Sequence, residues 1–244
     1  MSTTSVQLYS VREAFAADPA GTLARLKEIG FTQVEPFGLA EHAAILRTAL
    51  PDHGLTAPTA HAKLVGVDQE EVFAAAVACG VGTVIDPFTP PEQWEDEADI
   101  AAIATALNAA AKKAADHGLT VGYHNHWWEA KNTIGGRTAL EAFADQLDPE
   151  LVIEVDTYWA AAGGADAPAL LNRLGKRVVA LHVKDGDLAT DASGQVPAGQ
   201  GRVPVAEVLA AAPDALRVVE FDAYAGDIFD GLAASYAYLD GAAR

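Results

Sequence analysis

The chain has 244 residues, half of them hydrophobic and a fifth charged, with a formal net charge of −18 and a single cysteine, Cys79. This is the composition of a globular protein with a sizeable core, and it excludes a disordered chain, an internal disulfide and a cysteine-rich zinc cluster. The acidic balance argues against nucleic acid and anionic membrane surfaces as partners, no apolar run approaches the roughly 20 residues of a membrane span, and Met1–Val6 has no leader pattern, so a soluble cytoplasmic protein handling a small molecule is expected.

Short β-branched or apolar runs alternate with alanine-rich helical stretches along the whole chain. Val6–Tyr9 is the first predicted strand. Asp18-Pro19 then opens a helix to Ile29, with Asp as N-cap, Pro in the first turn and Gly30 as terminator. Thr32–Pro36 and Ala40–His53 form the second strand and helix, closed by Gly54. Leu55–His61 and Asp68–Cys79 form the third pair, closed by Gly80. Val81–Asp86 is the fourth strand. A Pro- and acid-rich loop and a long helix ending at His117, before Gly118, follow it. Leu119–His124 leads to a helix over Gly136–Leu147, and Leu151–Asp156 to one over Ala167–Leu174. Arg177–Val183 is followed by a Gly/Asp-rich loop and a helix over Val205–Ala212. Leu216–Phe221 and Asp227–Leu239 close the series.

Eight strand–helix units in a chain of this length predict an α/β fold, a (β/α)8 TIM barrel forming one domain over residues 1–244. An open doubly wound sheet usually has a Gly-rich turn after its first strand, whereas Ser10-Val11-Arg12-Glu13 stands there.

Polar residues gather at the C-terminal ends of the predicted strands: Tyr9, Glu35, His61, Asp86, His124-Asn125-His126, Asp156, His182 with Lys184, and Glu220 with Asp222. A barrel builds its active site at this end. A core strand gains nothing from ending in a charge unless that charge has a partner or a task. Imidazole and carboxylate together suit a divalent transition metal better than calcium, which takes oxygen only.

Strand alternation sharpens the pattern. Glu154 and Asp156 share the interior face, Asp156 nearer the rim, and Glu154 is either a deeper ligand or a buried, hydrogen-bonded acid. His182 and Lys184 share a face by the same rule. Lys184 then either points a cation at a substrate oxygen while His182 binds metal, or pairs with Asp185 or Asp187. Trp127-Trp128 is either a packed lid or an apolar face for a sugar ring. Gly199-Gln200-Gly201 is either a flexible loop or a weak anion site.

The segments Leu8-Tyr9-Ser10-Val11-Arg12, Gly30-Phe31 through Val34-Glu35, Gly122-Tyr123-His124-Asn125-His126, Asp156-Thr157-Tyr158-Trp159, His182-Val183-Lys184-Asp185 and Val219-Glu220 resemble the xylose-isomerase-like TIM-barrel superfamily of sugar isomerases and epimerases. The resemblance spans essentially the whole chain. It implies one divalent metal, manganese first, with Co2+, Fe2+, Mg2+ or Zn2+ as alternatives. Three of the implied ligands fall on Asp156, His182 and Glu220. The fourth, a glutamate on strand five in that superfamily, is His124 here.

Those epimerases use the strand-five and strand-eight glutamates as an acid/base pair, so a departure at strand five calls for another base. His126 and Glu35 are the candidates, with Glu129 a third. The Tyr-His-Asn-His version resembles the branch that shades toward inosose dehydratase-like and 3-keto-sugar-acting proteins.

The expected function is a metal-dependent isomerase, epimerase or lyase acting on a keto-sugar or keto-polyol through an enediolate. Glu220, Lys184, His126 and Glu35 are the expected catalytic residues. Tyr9, His61, Asn125, Glu129 and Trp159 are expected to bind substrate, and His124, Asp156, His182 and Glu220 the metal. A homodimer is compatible with the alanine-rich helices. Two rivals stand beside this reading: a non-catalytic sugar- or partner-binding barrel, and an endonuclease-like phosphodiesterase.

Overall fold

The computed structural model describes residues 4–242, so the first three residues of the leader-free N-terminus expected above lie outside the described residues. Eight short parallel strands carry the fold. They are β1 (Thr4–Gln7), β2 (Gln33–Glu35), β3 (Thr59–His61), β4 (Thr83–Asp86), β5 (Thr120–His124), β6 (Val152–Asp156), β7 (Val178–Val183) and β8 (Leu216–Val219). Hydrogen bonding orders them β2-β1-β8-β7-β6-β5-β4-β3. Across the remaining seam, Val34 N donates to Thr56 O (2.9 Å) and His61 N to Pro36 O (2.7 Å). The strands thereby close into the predicted (β/α)8 barrel.

Register places the site. Gln7 lies beside Glu35, His124 beside Glu154, and Asp156 beside His182. Because successive side chains point to opposite faces, Glu154 and Asp156 both turn inward, as do His182 and Lys184. The opposite faces of the same strands are apolar. Val6, Val34, Val84, Tyr123, Val155, Leu181 and Val219 are buried beneath the outer helices.

The helices are α1 (Arg12–Ala17), α2 (Pro19–Ile29), α3 (Leu39–Asp52), α4 (Glu70–Cys79), α5 (Glu97–Asp116), α6 (Trp127–Lys131), α7 (Ala139–Ala144), α8 (Thr157–Ala162), α9 (Ala167–Leu174), α10 (Val205–Ala211) and α11 (Ile228–Ala242). Asp18 caps α2 as expected, accepting from Gly21 N at 2.9 Å with Pro19 behind it. Leu107 of α5 and the Trp94, Tyr123 and Phe143 rings lie in the same core.

Four expectations shift, each for a local reason. β1 ends at Gln7, because the Gln7 side chain accepts from Tyr9 N (3.1 Å) and starts a 3-10 turn over Leu8–Val11, so Tyr9 leaves the strand. β3 begins only at Thr59, since Pro58 has no N–H for the ladder. The helix expected from Gly136 starts at Ala139: Gly135 and Gly136 take positive φ (58° and 82°) in a small hairpin, and Thr138 with Glu141 forms the capping box. Finally α6 and α8, five and six residues long, are too short for hydrophobic periodicity to reveal.

These two short helices sit directly behind the barrel mouth and pack on each other at Gly163, where a methyl group would collide with the Trp127 carbonyl oxygen and crowd Ala130 Cβ. Gly163→Ala is therefore expected to destabilise the protein by about 1–3 kcal/mol, the usual cost of overpacking. A lower urea midpoint is the readout, and an unchanged midpoint would show that α6 gives way freely.

Candidate metal centre and cavity

Three histidines and five carboxylates converge at the C-terminal mouth of the barrel, and His182 is central. Its Nδ1 donates to Glu220 Oε2 (2.6 Å) and its Nε2 to Glu35 Oε1 (2.7 Å), with Glu154 Oε1 at 3.0 Å. Burial works against a charged ring, yet Glu154 and Glu220 hold its pKa well above the ordinary value. His124 donates from Nδ1 to Glu154 Oε1 (3.0 Å), which leaves Nε2 with its lone pair, 3.8 Å from Asp156 Oδ2. Burial and the His182 charge keep this ring neutral, its pKa well below the ordinary value. His61 donates from Nε2 to Glu154 Oε1 at 2.7 Å.

One oxygen, Glu154 Oε1, thus collects three imidazole nitrogens. Burial alone would raise the Glu154 pKa, but His182 and His61 hold it well below the carboxylate range. Glu35 lies beneath, accepting from Gln7 Nε2 (2.9 Å) and His182; burial and the Glu154 charge raise its pKa.

Above this layer sits Lys184. Its Nζ is 2.8 Å from Asp156 Oδ2, 2.6 Å from Glu220 Oε2 and 2.7 Å from Asp222 Oδ2. Burial disfavours the ammonium, but Asp156, Asp222 and Glu220 push its pKa well above the ordinary value. Glu220 is held well below its own range by Lys184 and His182 in spite of burial. Asp156 goes the other way: burial outweighs the lysine and lifts it to about 6. Asp222 is steadied by Gln195, which donates to Oδ2 (2.8 Å) and accepts from Asp222 N (2.8 Å).

Among the described residues two groups have the chemistry and spacing to hold a metal: Asp156, His182 and Glu220 at the rim, and His61, His124, Glu154 and His182 one layer below. Within each group the ligand atoms lie within 4.8 Å of one another. A cavity of about 600 Å³ opens above them; Tyr9, His61, His124, His126, Lys184 and Glu220 all line it. His126 is stacked on Trp128 (4.5 Å, 3°) behind it, and its Nδ1 is buried at the N-terminus of α6. Burial and the Lys184 charge hold His126 at about 3.

The structure places the other expected residues away from open space. Glu35 has 0% exposure and lies under His61 and His182, out of reach of a molecule in the cavity. Asn125 clamps two strands together: its Oδ1 accepts from Asp156 N (3.0 Å) and its Nδ2 donates to Asp156 O (3.3 Å). Glu129 is also buried. It accepts from His126 N (2.9 Å) and from the Tyr123 hydroxyl (2.8 Å), as the N-terminal brace of α6. Trp159 is 5% exposed and backs Lys184, whose Nζ is 5.4 Å from the ring centre.

Other open alternatives resolve as well. Trp128 is buried and packs behind His126 rather than lining the cavity. Lys184 pairs with neither Asp185 nor Asp187 but with Asp156, Glu220 and Asp222. The Gly199 and Gly201 amides bind an internal anion, both donating to Asp185 Oδ2 at 2.9 Å. The sequence reading missed Gln195, which lies in a two-stranded turn (Asp185–Gly186 with Gln195–Val196) and has no strand-end signal.

Glu129 sets a pH dependence of stability. Burial raises its pKa to about 8, from the unperturbed 4.5. The folded state therefore holds a proton that the unfolded state has lost. This contribution is complete below the unfolded value and falls as pH rises toward 8, by up to about 1.4 kcal/mol per pH unit. Glu129→Gln is expected to gain stability relative to the natural protein as the pH of urea titrations is raised between about 5 and 8. A constant difference over that range would contradict the assignment.

The family described as a xylose isomerase-like TIM barrel matches residues 23–215. A sugar phosphate isomerase/epimerase from Parabacteroides distasonis superposes with a TM-score of 0.84 at 22% identity, covering 98% of this chain and 93% of the other. A probable 3-DHS dehydratase, AsbF, from Bacillus anthracis gives 0.78 at 15% identity, covering 98% of both chains. The zinc-bound IOLI protein gives 0.73 at 13% identity, covering 99% and 98%. At these identities the likeness is one of fold. No curated protein matches the chain in sequence. Among the described residues no helix is long and apolar enough to cross a membrane.

Proposed function

Because this chain belongs to the xylose isomerase-like TIM barrel family, we propose that it is an isomerase, epimerase or lyase that removes a proton beside the carbonyl of a keto-sugar or keto-polyol. The observation that carries this reading is the rim group of Asp156, His182 and Glu220, whose ligand atoms lie within 4.8 Å of one another, with His124 Nε2 3.8 Å from Asp156 Oδ2 and a cavity above.

Asp156, His182 and Glu220, with His124 beside them, would hold a divalent metal once the His182 Nδ1 proton is displaced. Two imidazoles and two carboxylates form a mixed N/O donor set suited to manganese, iron, cobalt or zinc. Each imidazole is anchored through its far nitrogen to a buried carboxylate, His124 to Glu154 and His182 to Glu35 and Glu154. Metal-binding histidines are oriented in this way. A bound ion would act as a Lewis acid on the substrate carbonyl and its neighbouring hydroxyl.

The remaining work falls to the chain itself. Lys184, held by Asp222 on the cavity side, places a fixed positive charge where oxyanion charge develops. His126 lines the cavity as a neutral imidazole and is the side chain placed to take the substrate proton, as a weak base that works only on a carbon acid already acidified by the Lewis acid and Lys184. Glu35 and Glu129, both committed to internal partners, are not so placed. Trp128 and Phe88 confine His126 from two sides (Phe88 to His126, 5.5 Å), so the ring has little freedom to turn.

Two measurements test this. Purified protein should hold about one equivalent of a transition metal, and Asp156→Ala and His182→Ala should both lose it. With a keto-sugar or keto-inositol in D2O, a carbon-bound proton should exchange. His126→Gln should slow that exchange about 100-fold or more while leaving the metal content unchanged. A protein that contains no metal and takes up neither Mn2+ nor Co2+ would overturn the reading in favour of a binding barrel.

A further inference from the structure

The cavity carries a cluster of apolar side chains beside its polar ones. Its floor is polar: His61, His124, Lys184, Glu220 and Asp222. The rest of its lining combines the apolar Tyr9, Phe37, Val67, Pro87 and Phe88 with the charged Glu41, Lys63, Asp68 and Glu71. Among the described residues five large hydrophobic side chains are exposed, and three of them, Tyr9 (40%), Val67 (41%) and Phe88 (44%), belong to this lining. Gathered on one rim, they offer a small apolar contact surface beside the polar floor.

The aromatic surface is continuous with the floor. Tyr9 meets Phe37 edge-on at 5.5 Å, and Phe88 meets both His126 (5.5 Å) and Trp128 (5.6 Å) edge-on. Asp86 holds this wall in place by accepting from Leu64 N, Val65 N and Phe88 N, which ties together the loops after β3 and β4. The volume, about 600 Å³, lies in the range of roughly 300–1,000 Å³ that takes ligands much larger than one sugar ring.

The same lining is unsuited to a phosphate. Lys184 already faces three carboxylates. Lys63 is the other lysine lining the cavity, and Glu41, Asp68 and Glu71 line it too. Helix N-termini often supply anion sites, but the two here carry their own acids: Glu41 in the first turn of α3, Glu70 and Glu71 in that of α4. Arg12, nearby, is stacked on Tyr9 (4.3 Å) and donates to the Tyr9 and Asp222 carbonyl oxygens.

We infer that the substrate is an unphosphorylated sugar or polyol carrying an apolar, preferably aromatic, substituent, with the sugar at the Lys184 floor and the substituent between Phe37, Phe88 and Tyr9. The inference rests on the reading of the floor given above. The probes are D-glucose, phenyl β-D-glucopyranoside and D-glucose 6-phosphate, titrated calorimetrically into the metal-loaded protein.

Phenyl glucoside should bind about tenfold or more tighter than glucose, as burial of one phenyl ring warrants, and glucose 6-phosphate more weakly than glucose. Phe88→Ala and Phe37→Ala should each reduce the phenyl advantage, and Phe37→Ala, which touches none of the catalytic groups, should do so without changing the affinity for glucose. The inference is overturned if the phosphate binds tightest, if phenyl glucoside shows no advantage or no binding, or if neither variant reduces the advantage. Failure of deuterium exchange alongside a retained phenyl preference would refute the proton-transfer chemistry and leave the apolar subsite standing. Exchange without that preference would do the reverse.

Discussion

The buried carboxylate of Glu154 is the constraint on which the site depends. A charge taken out of water inside a barrel needs partners of matching geometry, or it gives up its ionisation. Here one oxygen receives three imidazole nitrogens from three different strands, β3, β5 and β7. Each imidazole is thereby fixed in orientation, His124 as the Nδ1–H tautomer and His182 as an imidazolium that donates from both nitrogens. His124 has its Nδ1 engaged below and presents Nε2 toward Asp156; His182 has its Nε2 engaged below and presents Nδ1 toward Glu220. The upper layer of donors follows from the lower layer of hydrogen bonds.

That arrangement gives the substitution at strand five a physical sense. The superfamily resemblance implies a glutamate where His124 stands. An imidazole in its place removes one negative charge from a crowded mouth. It also needs a support that a carboxylate would not, and Glu154 supplies it. The rim still holds Asp156, Glu220 and Asp222 around a single ammonium. Gln195 completes this shell from outside the barrel and steadies Asp222 without adding charge.

Much of this was legible in the sequence because two periodic rules govern it. Alternating strand and helix runs predict the barrel, and the two-residue strand period predicts that Glu154, Asp156, His182 and Lys184 share the interior. Both predictions describe the structure. Single polar residues that spend their hydrogen bonds locally were harder to read. Glu129 stands three residues after His126, the spacing of a helix-capping acid, and that signal was available. Asn125 offered none, since its partner Asp156 is 31 residues away and adjacent only through strand pairing. Tyr9 reached the cavity wall although its strand ended early, because the 3-10 turn carries it onto the rim.

The central claim is that His124 and His182 both serve as metal donors, each braced from below by a carboxylate. Pulsed electron paramagnetic resonance on the Mn2+-loaded protein counts the nitrogens coupled to the ion. The account predicts two imidazole nitrogens in the natural protein and one in His124→Gln. A single coupled nitrogen in both proteins would contradict it and leave His124 as a hydrogen-bonded wall of the barrel.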